Sequence, residues 1–324
     1  MRILLCAAVA LLSVGTQVEA SSKAYPSRPI TLIVPFAAGG PTDTIALVLA
    51  EAMGKSLGQP VVPENVTGAA GTIAVGRTVQ APPDGYTIGI GHWSTHVLNG
   101  AIYALPYSLV TDLEPIAMVT TNPQLIIGKG ALAAHDLQQL ISWLKANPDK
   151  ALQATAGTGS PSHVAGVYFQ KTTGTRFQFV PYRGGAPAMQ ALLAGQMDLG
   201  FEQAANVLPH LRSGIIKAYA VTSSSRLPAA PEVPTVEEAG LAGFYVSVWH
   251  GLWAPKGTPK DVVATLNNAA ARALHEPTVR QRLIDLGQDI PVEAQQTPEA
   301  LAALQKAEIE KWWPIVKAAG IKAE

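Results

Sequence analysis

One arrangement constrains the fold more than any other feature of this sequence, and it occurs three times. A short apolar strand runs into a glycine turn, and the turn runs into a helix marked by a proline. The first copy is Ile30-Thr-Leu-Ile-Val-Pro-Phe-Ala-Ala-Gly-Gly-Pro-Thr-Asp43. Ile30 to Val34 is a β-branched apolar run that reads as a buried strand. Gly39-Gly40 makes the sharp turn and leaves the backbone open to a ligand. Pro41 suits the first helical position, where its missing N–H would be unpaired in any case. Ile45, Val48, Leu49, Ala52 and Met53 then recur at helical spacing and predict one apolar stripe. The second copy spans Leu152 to His163, with glycines at Gly157 and Gly159 and a proline at Pro161. The third runs from Phe177 through Tyr182-Arg-Gly-Gly-Ala-Pro187, with Pro187 read as the opening of its helix. At each such turn, free N–H groups and the positive end of a helix dipole converge, which makes a small anion site. Pro259, Pro277 and Pro298 also open helices, but without a glycine loop, so the glycines are the informative part.

Between these copies, strands and helices alternate. A short strand lies in Gly58 to Asn65, and Thr67-Gly-Ala-Ala-Gly71 is a further glycine loop before a helix over Thr72 to Gln80. Asp84-Gly85 closes a proline turn. Tyr86 to Ile90 is the next strand, and Gly91-His-Trp-Ser-Thr-His96 reads as the loop that ends it. Such alternation predicts parallel βαβ units, whose ligands sit beyond the carboxyl ends of the strands. Pro115 to Ile127 and Tyr245 to Ala254 read as extended crossings between two domains. The expected architecture is therefore α/β and bilobal. Residues 21–123 with 247–324 form one lobe, residues 124–246 form the other, and a ligand lies between them.

Met1-Arg2, the apolar run Ile3 to Val14 and the small residues around Ala20 read as a cleavable export signal, residues 1–20. Cys6, the single cysteine, falls inside it, so the mature chain is expected to have no disulfide and no thiol chemistry. The expected location is the periplasm. Lys and Arg number 23, as do Asp and Glu, so no basic footprint marks a nucleic acid or an anionic membrane surface as partner.

The polar residues at the turns invite specific chemistry. Ser160 lacks a nucleophile elbow, because Thr158 and Ser162 stand where G-x-S-x-G needs glycines. It reads better as a helix N-cap whose hydroxyl also remains free for a ligand. His92 and His96 are four apart, as in a zinc helix, but no Glu follows His92 and the segment reads as a loop. Asp43 is either a first-turn acid favoured by the helix dipole or a contact for a ligand amine or a water. Glu202 is a solvated loop acid or a cleft residue, in a loop marked also by Gln203 and Asn206. Arg183 either grips a carboxylate or sits on a domain rim. No cofactor, no metal and no catalysis are expected.

Several stretches, in order, resemble the Bug family of periplasmic solute-binding proteins of tripartite tricarboxylate transporters. They include Tyr25-Pro-Ser-Arg-Pro-Ile30, Val34 to Asp43, Ala81-Pro-Pro-Asp-Gly-Tyr86, Leu105-Pro-Tyr107, Gly157 to His163, Val180 to Pro187, Ala220-Val-Thr-Ser223, Pro231-Glu-Val-Pro-Thr235 and Ala254 to Pro259. The resemblance implies a Venus flytrap, type II-like fold. It also implies a small carboxylate ligand, delivered by a monomer to a membrane permease. A sensor subunit for a two-component system is the alternative. By position, Phe36, Ala38, Gly39, Gly40, Thr42 and Asp43 belong to the first-lobe ligand loop, and His92, Ser94 and Thr95 to the loop facing it. Gly157, Gly159, Ser160 and His163 fall on the second-lobe wall. Tyr182, Arg183, Gly184, Gly185 and Ala186 continue that wall, with Glu202 beside them. Thr67-Gly-Ala-Ala-Gly71 departs from the family's usual Pro-Gly-Ala-Gly-Gly, Arg183 stands where Lys is commoner, and His92-Trp93 is bulky for a place expected at the cleft.

Overall fold

The computed structural model describes residues 25–211 and 213–322. The expected export signal and Cys6 lie outside the described residues.

The chain begins with β1 (Ile30–Val34), α1 (Pro41–Leu57), β2 (Val61–Asn65), α2 (Thr72–Val79) and β3 (Thr87–His92). A π-helical turn, Ser94–Leu98, runs into the short α3 (Asn99–Ile102). The long strand β4 (Leu113–Lys129) follows, then α4 (Leu137–Ala146), β5 (Leu152–Thr155), α5 (Pro161–Thr173), β6 (Gln178–Pro181), α6 (Gly185–Leu193) and β7 (Leu199–Gln203). The chain continues through α7 (Ala204–Leu211), β8 (Ile216–Val221) and β9 (Ser247–Pro255) to α8 (Lys260–His275), α9 (Pro277–Asp285) and α10 (Pro298–Ala318).

The strands pair in the order β2-β1-β3-β9-β4-β7-β5-β6, with β8 added on β4. β1 is parallel to β2 and β3, and β5 is parallel to β6 and β7. These are the two α/β units that the alternation predicts. The two crossing strands join them. From Leu113 to Pro123, β4 pairs antiparallel with β9; from Gln124 onward it pairs with β7 and β8 instead. Thr222 pins this change of partner. Its hydroxyl accepts from the Gln124 N–H at 2.9 Å and lies 2.5 Å from the Val246 carbonyl. The junction is therefore fixed where both crossing segments meet.

Local chemistry explains the helix starts. Ser160, Thr297 and Asp136 each cap a helix through the side chain, accepting from His163, Ala300 and Gln139 N–H respectively. α1 and α5 end on Gly58 and Gly174, both left-handed, at φ 68°. α1, α8 and α9 bury Ile45, Leu49, Met53, Leu266 and Leu283 over one face of the first lobe's strands. A second cluster holds an aromatic seam: Trp312 of α10 meets Trp93 edge-on at 4.8 Å and Tyr168 of α5 at 5.2 Å. α10 thus packs against both lobes.

Four expectations are corrected. Gly91 to His96 is not a loop: β3 runs through His92 and a π-helical turn follows directly. Glu202 and Gln203 end a strand and Asn206 lies in α7, so these residues do not form a loop. α6 begins at Gly185, two residues before Pro187, which occupies the first turn where an N–H is not needed. Trp93 is fully buried against Trp312 and takes no part in lining a cleft.

Candidate functional site

All three glycine turns follow the carboxyl ends of parallel strands, where such sheets bind ligands. One contact sets the second lobe's β5 turn against the first lobe. Gly159, in the turn after β5, has φ +75°, and a Cβ built there would lie 2.8 Å from Cδ1 of Ile102 at the end of α3. The β5 turn therefore touches the element that follows β3. Within the second lobe, a Cβ on Gly157 would sit 3.3 Å from the Tyr182 carbonyl, so the β5 and β6 turns adjoin.

The first turn is held by Asp43, which is 4 % exposed. Its Oδ2 accepts from the Gly39 N–H at 2.8 Å and its Oδ1 from Asn65 Nδ2 at 2.8 Å. Asn65 also donates to the Phe36 carbonyl at 2.9 Å. Asp43 is thus the first-turn acid that braces the loop, and Asn65 at the end of β2 is its partner, which sequence reasoning missed. The Gly40 N–H donates to the Ala37 carbonyl, so the glycine amides themselves are engaged. Among the described residues, the N–H groups of Thr42 and Asp43, ahead of the first α1 backbone bond from Thr44, have no partner. Ala38 and Gly39 are exposed and Gly40 is half-buried.

The residues after β3 behave differently from expectation. Thr95 is fully buried, and its hydroxyl accepts from the His92 N–H at 2.9 Å and lies 2.9 Å from His96 Nδ1. Ser94 is buried and turns its hydroxyl to His92 Nδ1 at 3.2 Å. The π-helical turn thus folds the Thr95 hydroxyl back on the backbone of β3 and the Ser94 hydroxyl onto the His92 ring. His92 lies under Phe36, ring on ring at 4.8 Å, and meets His250 edge-on at 5.4 Å. His250 also escaped the sequence reading. It stands opposite His92 in the β3–β9 pairing, with Nε2 3.1 Å from Thr42 Oγ1 and Nδ1 3.2 Å from Thr120 Oγ1. It therefore ties the start of α1 to the crossing strand β4. Only the pairing register could have revealed it. Burial lowers His92 to about 4 and His96 to about 3, and holds His250 well below the usual imidazole range. All three rings are neutral near pH 7 and add no positive charge.

In the second lobe, Ser160 Oγ accepts from the His163 N–H at 3.3 Å and lies 3.1 Å from Ser162 Oγ. Neither partner is a base, so nothing here activates Ser160 as a nucleophile. His163 points its Nδ1 at the Gly159 N–H, 3.0 Å away. The Ser162 N–H has no partner among the described residues. At the third turn the N–H groups of Gly185 and Ala186 are likewise ahead of the first α6 bond, from Ala188 to Gly184. Tyr182 is half-buried with its N–H bound to Thr155, while Arg183 and Ala186 are exposed and Gly184 has φ +117°. Glu202 stands behind Gly185: a Cβ on that glycine would lie 3.2 Å from Glu202 Oε2. Burial raises the Glu202 carboxyl to about 7, against the opposing pull of Asn206.

The arrangement is thus a rim of unpaired backbone N–H groups from two lobes, with one exposed guanidinium, and with hydroxyls and imidazoles used internally. Among the described residues no cluster of His, Cys, Asp and Glu is placed to hold a metal ion.

The family model described as tripartite tricarboxylate transporter family receptor matches residues 45–321. Protein BugT of Bordetella pertussis is 35 % identical over 323 residues, covering 99 % of this chain and 98 % of that one. MatC from Rhodopseudomonas palustris, solved with bound malate, is 42 % identical with a TM-score of 0.81, covering 90 % of this chain and all of that one. Another R. palustris protein, solved with adipate, is 31 % identical with a TM-score of 0.83, covering 92 % of this chain and all of that one. The fold is that of bilobal periplasmic binding proteins, and the chain belongs to the Bug family of tripartite tricarboxylate transporter receptors.

Proposed function

We propose that this protein is a periplasmic receptor that captures a small carboxylate between its lobes and hands it to a membrane permease of the tripartite type. Its lobes are residues 21–123 with 247–324, and residues 124–246. The observation that supports the reading is the meeting of Gly159 with Ile102, which sets the turn before α5 against the first lobe at the gap between them. The unpaired N–H groups of Thr42, Asp43 and Ser162 face an anion there, and Arg183 supplies the positive side chain. Malate and adipate, held by two relatives, are both small dicarboxylates and support the class. The protein acts as a monomer and turns nothing over: Ser160 has no base beside it.

Magnitudes assign the work. A helix start contributes about 0.3–1 kcal/mol to a bound anion, and up to ~2 when partly buried. Micromolar affinity needs roughly 8 kcal/mol. The helix starts therefore orient the ligand, while desolvation between the lobes supplies most of the affinity. Lobe closure also presents the permease with a shape that only the loaded receptor holds. The test is calorimetric titration of the purified mature protein with dicarboxylates of three to six carbons, alongside sugars and cations. Saturable binding confined to carboxylates supports the reading; binding of a sugar or a cation and of no carboxylate refutes it.

A further inference from the structure

We infer that Tyr168 and Trp312 form a clasp between the lobes, a positioning pair that sets the balance of open and closed forms and so tunes ligand affinity without touching the ligand. The inference rests on the bilobal fold and holds whichever carboxylate fills the gap.

Trp312 stands on α10, which is fixed to the first lobe. Gln305 Nε2 donates to the His96 and Leu109 carbonyls at 2.9 and 3.0 Å, and Trp313 Nε1 donates to the Val97 carbonyl at 2.8 Å. Gly100 of α3 lies flat against Trp313, where a Cβ would come within 2.6 Å of Cζ2. α3 and α10 thus make one edge of the first lobe. α5 of the second lobe meets that edge at two points. Gly159, in the turn that leads into α5, touches Ile102 of α3. Tyr168, about two turns along α5, meets Trp312 of α10.

Each ring of the pair is held by its own lobe. Trp312 is buried against Trp93, and its Nε1 donates to Glu308 Oε2 at 3.0 Å. Tyr168 stacks on Phe244 at 5.0 Å and 14°, and Phe244 packs in turn on Phe169 and Phe201. Between the two rings lies only an edge-to-face contact, 5.2 Å at 76°. Among the described residues, one side-chain hydrogen bond runs from α10 to the second lobe, from Lys311 Nζ to the Tyr245 carbonyl, and at 3.4 Å it is long. α10 therefore grips the second lobe through aromatic surface, which can part and re-form as the lobes swing. A second lobe that swings away carries α5, and Tyr168 with it, off α10. The pair is then made only in the closed form and favours it by roughly two- to tenfold. Ligand enters the open form and leaves only on reopening, so the clasp acts on dissociation.

The test reads the distance between the lobes. Cys6 is the single cysteine and lies in the expected export signal, so Ser56→Cys on α1 and Ser142→Cys on α4, both at exposed positions, accept two spin labels cleanly in the mature protein. Pulsed electron resonance of the ligand-free protein gives the distance distribution. Tyr168→Leu keeps apolar bulk but removes the ring, and is expected to shift that distribution. Tyr168→Phe keeps the ring edge, and is expected to leave it as it was. With the tightest dicarboxylate from the titration above as probe, stopped-flow dissociation from Tyr168→Leu is expected to quicken by about two- to tenfold, with association unchanged. Thermal melts check that both variants fold. An unchanged distribution in Tyr168→Leu overturns the clasp. So does a shift that Tyr168→Phe shares, or a dissociation rate that does not rise. If no dicarboxylate binds, the carboxylate reading falls, and the label distances still decide the clasp.

Discussion

Asp43→Asn changes almost no volume and isolates what Asp43 does. Both partners of the carboxylate are donors, the Gly39 N–H and the Asn65 amide, each at 2.8 Å. An asparagine at 43 has one acceptor oxygen and one NH2 group, so one donor must face another donor at a site only 4 % exposed. A hydrogen bond to a charged group is worth about 1.5–3 kcal/mol, and the charge at the start of α1 adds roughly 0.3–1 kcal/mol. The expected loss is ~2–4 kcal/mol of stability, and for a chain of this size a fall in melting temperature of roughly 4–16 °C. The assay is thermal unfolding followed by circular dichroism, paired with titration of the best dicarboxylate ligand below the transition. Affinity should fall less than tenfold, because the brace shapes the loop without touching the ligand. A variant that melts like the unmodified protein yet no longer binds would refute the reasoning and make Asp43 a ligand contact.

Gly159→Ala brings a methyl group against Ile102 only where the lobes meet, and should weaken ligand affinity by about 1 kcal/mol, roughly fivefold, with Ile102→Ala restoring it in the double variant. Titration of the four proteins checks this, and an additive double variant contradicts it. Ala70 sits at φ +52° beside Ala69 at φ +44°, so Ala70→Gly should raise stability by about 0.5–1 kcal/mol in urea unfolding. His92 and His96 are held below their unfolded value near 6.5, at about 4 and about 3. Their stabilising effect is complete above pH 6.5 and is lost as pH falls toward 4 and then 3. The slope reaches ~1.4 kcal/mol per pH unit for each histidine. Urea midpoints from pH 7 to pH 4 check this, and a flat profile contradicts it.

The parts of the fold that were legible in the sequence are those written in local chemistry. Gly157, Gly159 and Gly184 all adopt positive φ, and Pro41 and Pro161 do open their helices. A glycine that must turn and a proline that must begin a helix leave a mark on three or four residues. The two crossings were legible because long apolar stretches without helical period leave few alternatives to strand. The misreadings came where the decisive contact is distant. His92 to His96 carries loop-like residues, yet Trp93 is drawn inward by Trp312, more than two hundred residues away, and the backbone follows as a π-helical turn. Glu202 and Gln203 carry the polarity of a loop, yet their pairing with Leu125 and Gln124 makes them the end of a strand. Asn65 and His250 matter through the pairing register alone, which local sequence does not encode.

The account rests on donors from both lobes closing on one anion. Nitrogen-15 labelling of the mature protein, with amide proton shifts followed during titration of its tightest dicarboxylate, tests that claim most directly. The N–H groups of Thr42 and Asp43 in one lobe and Ser162 in the other should move downfield together, saturating at a single dissociation constant. Movement confined to one lobe, or separate constants for the two, would contradict it.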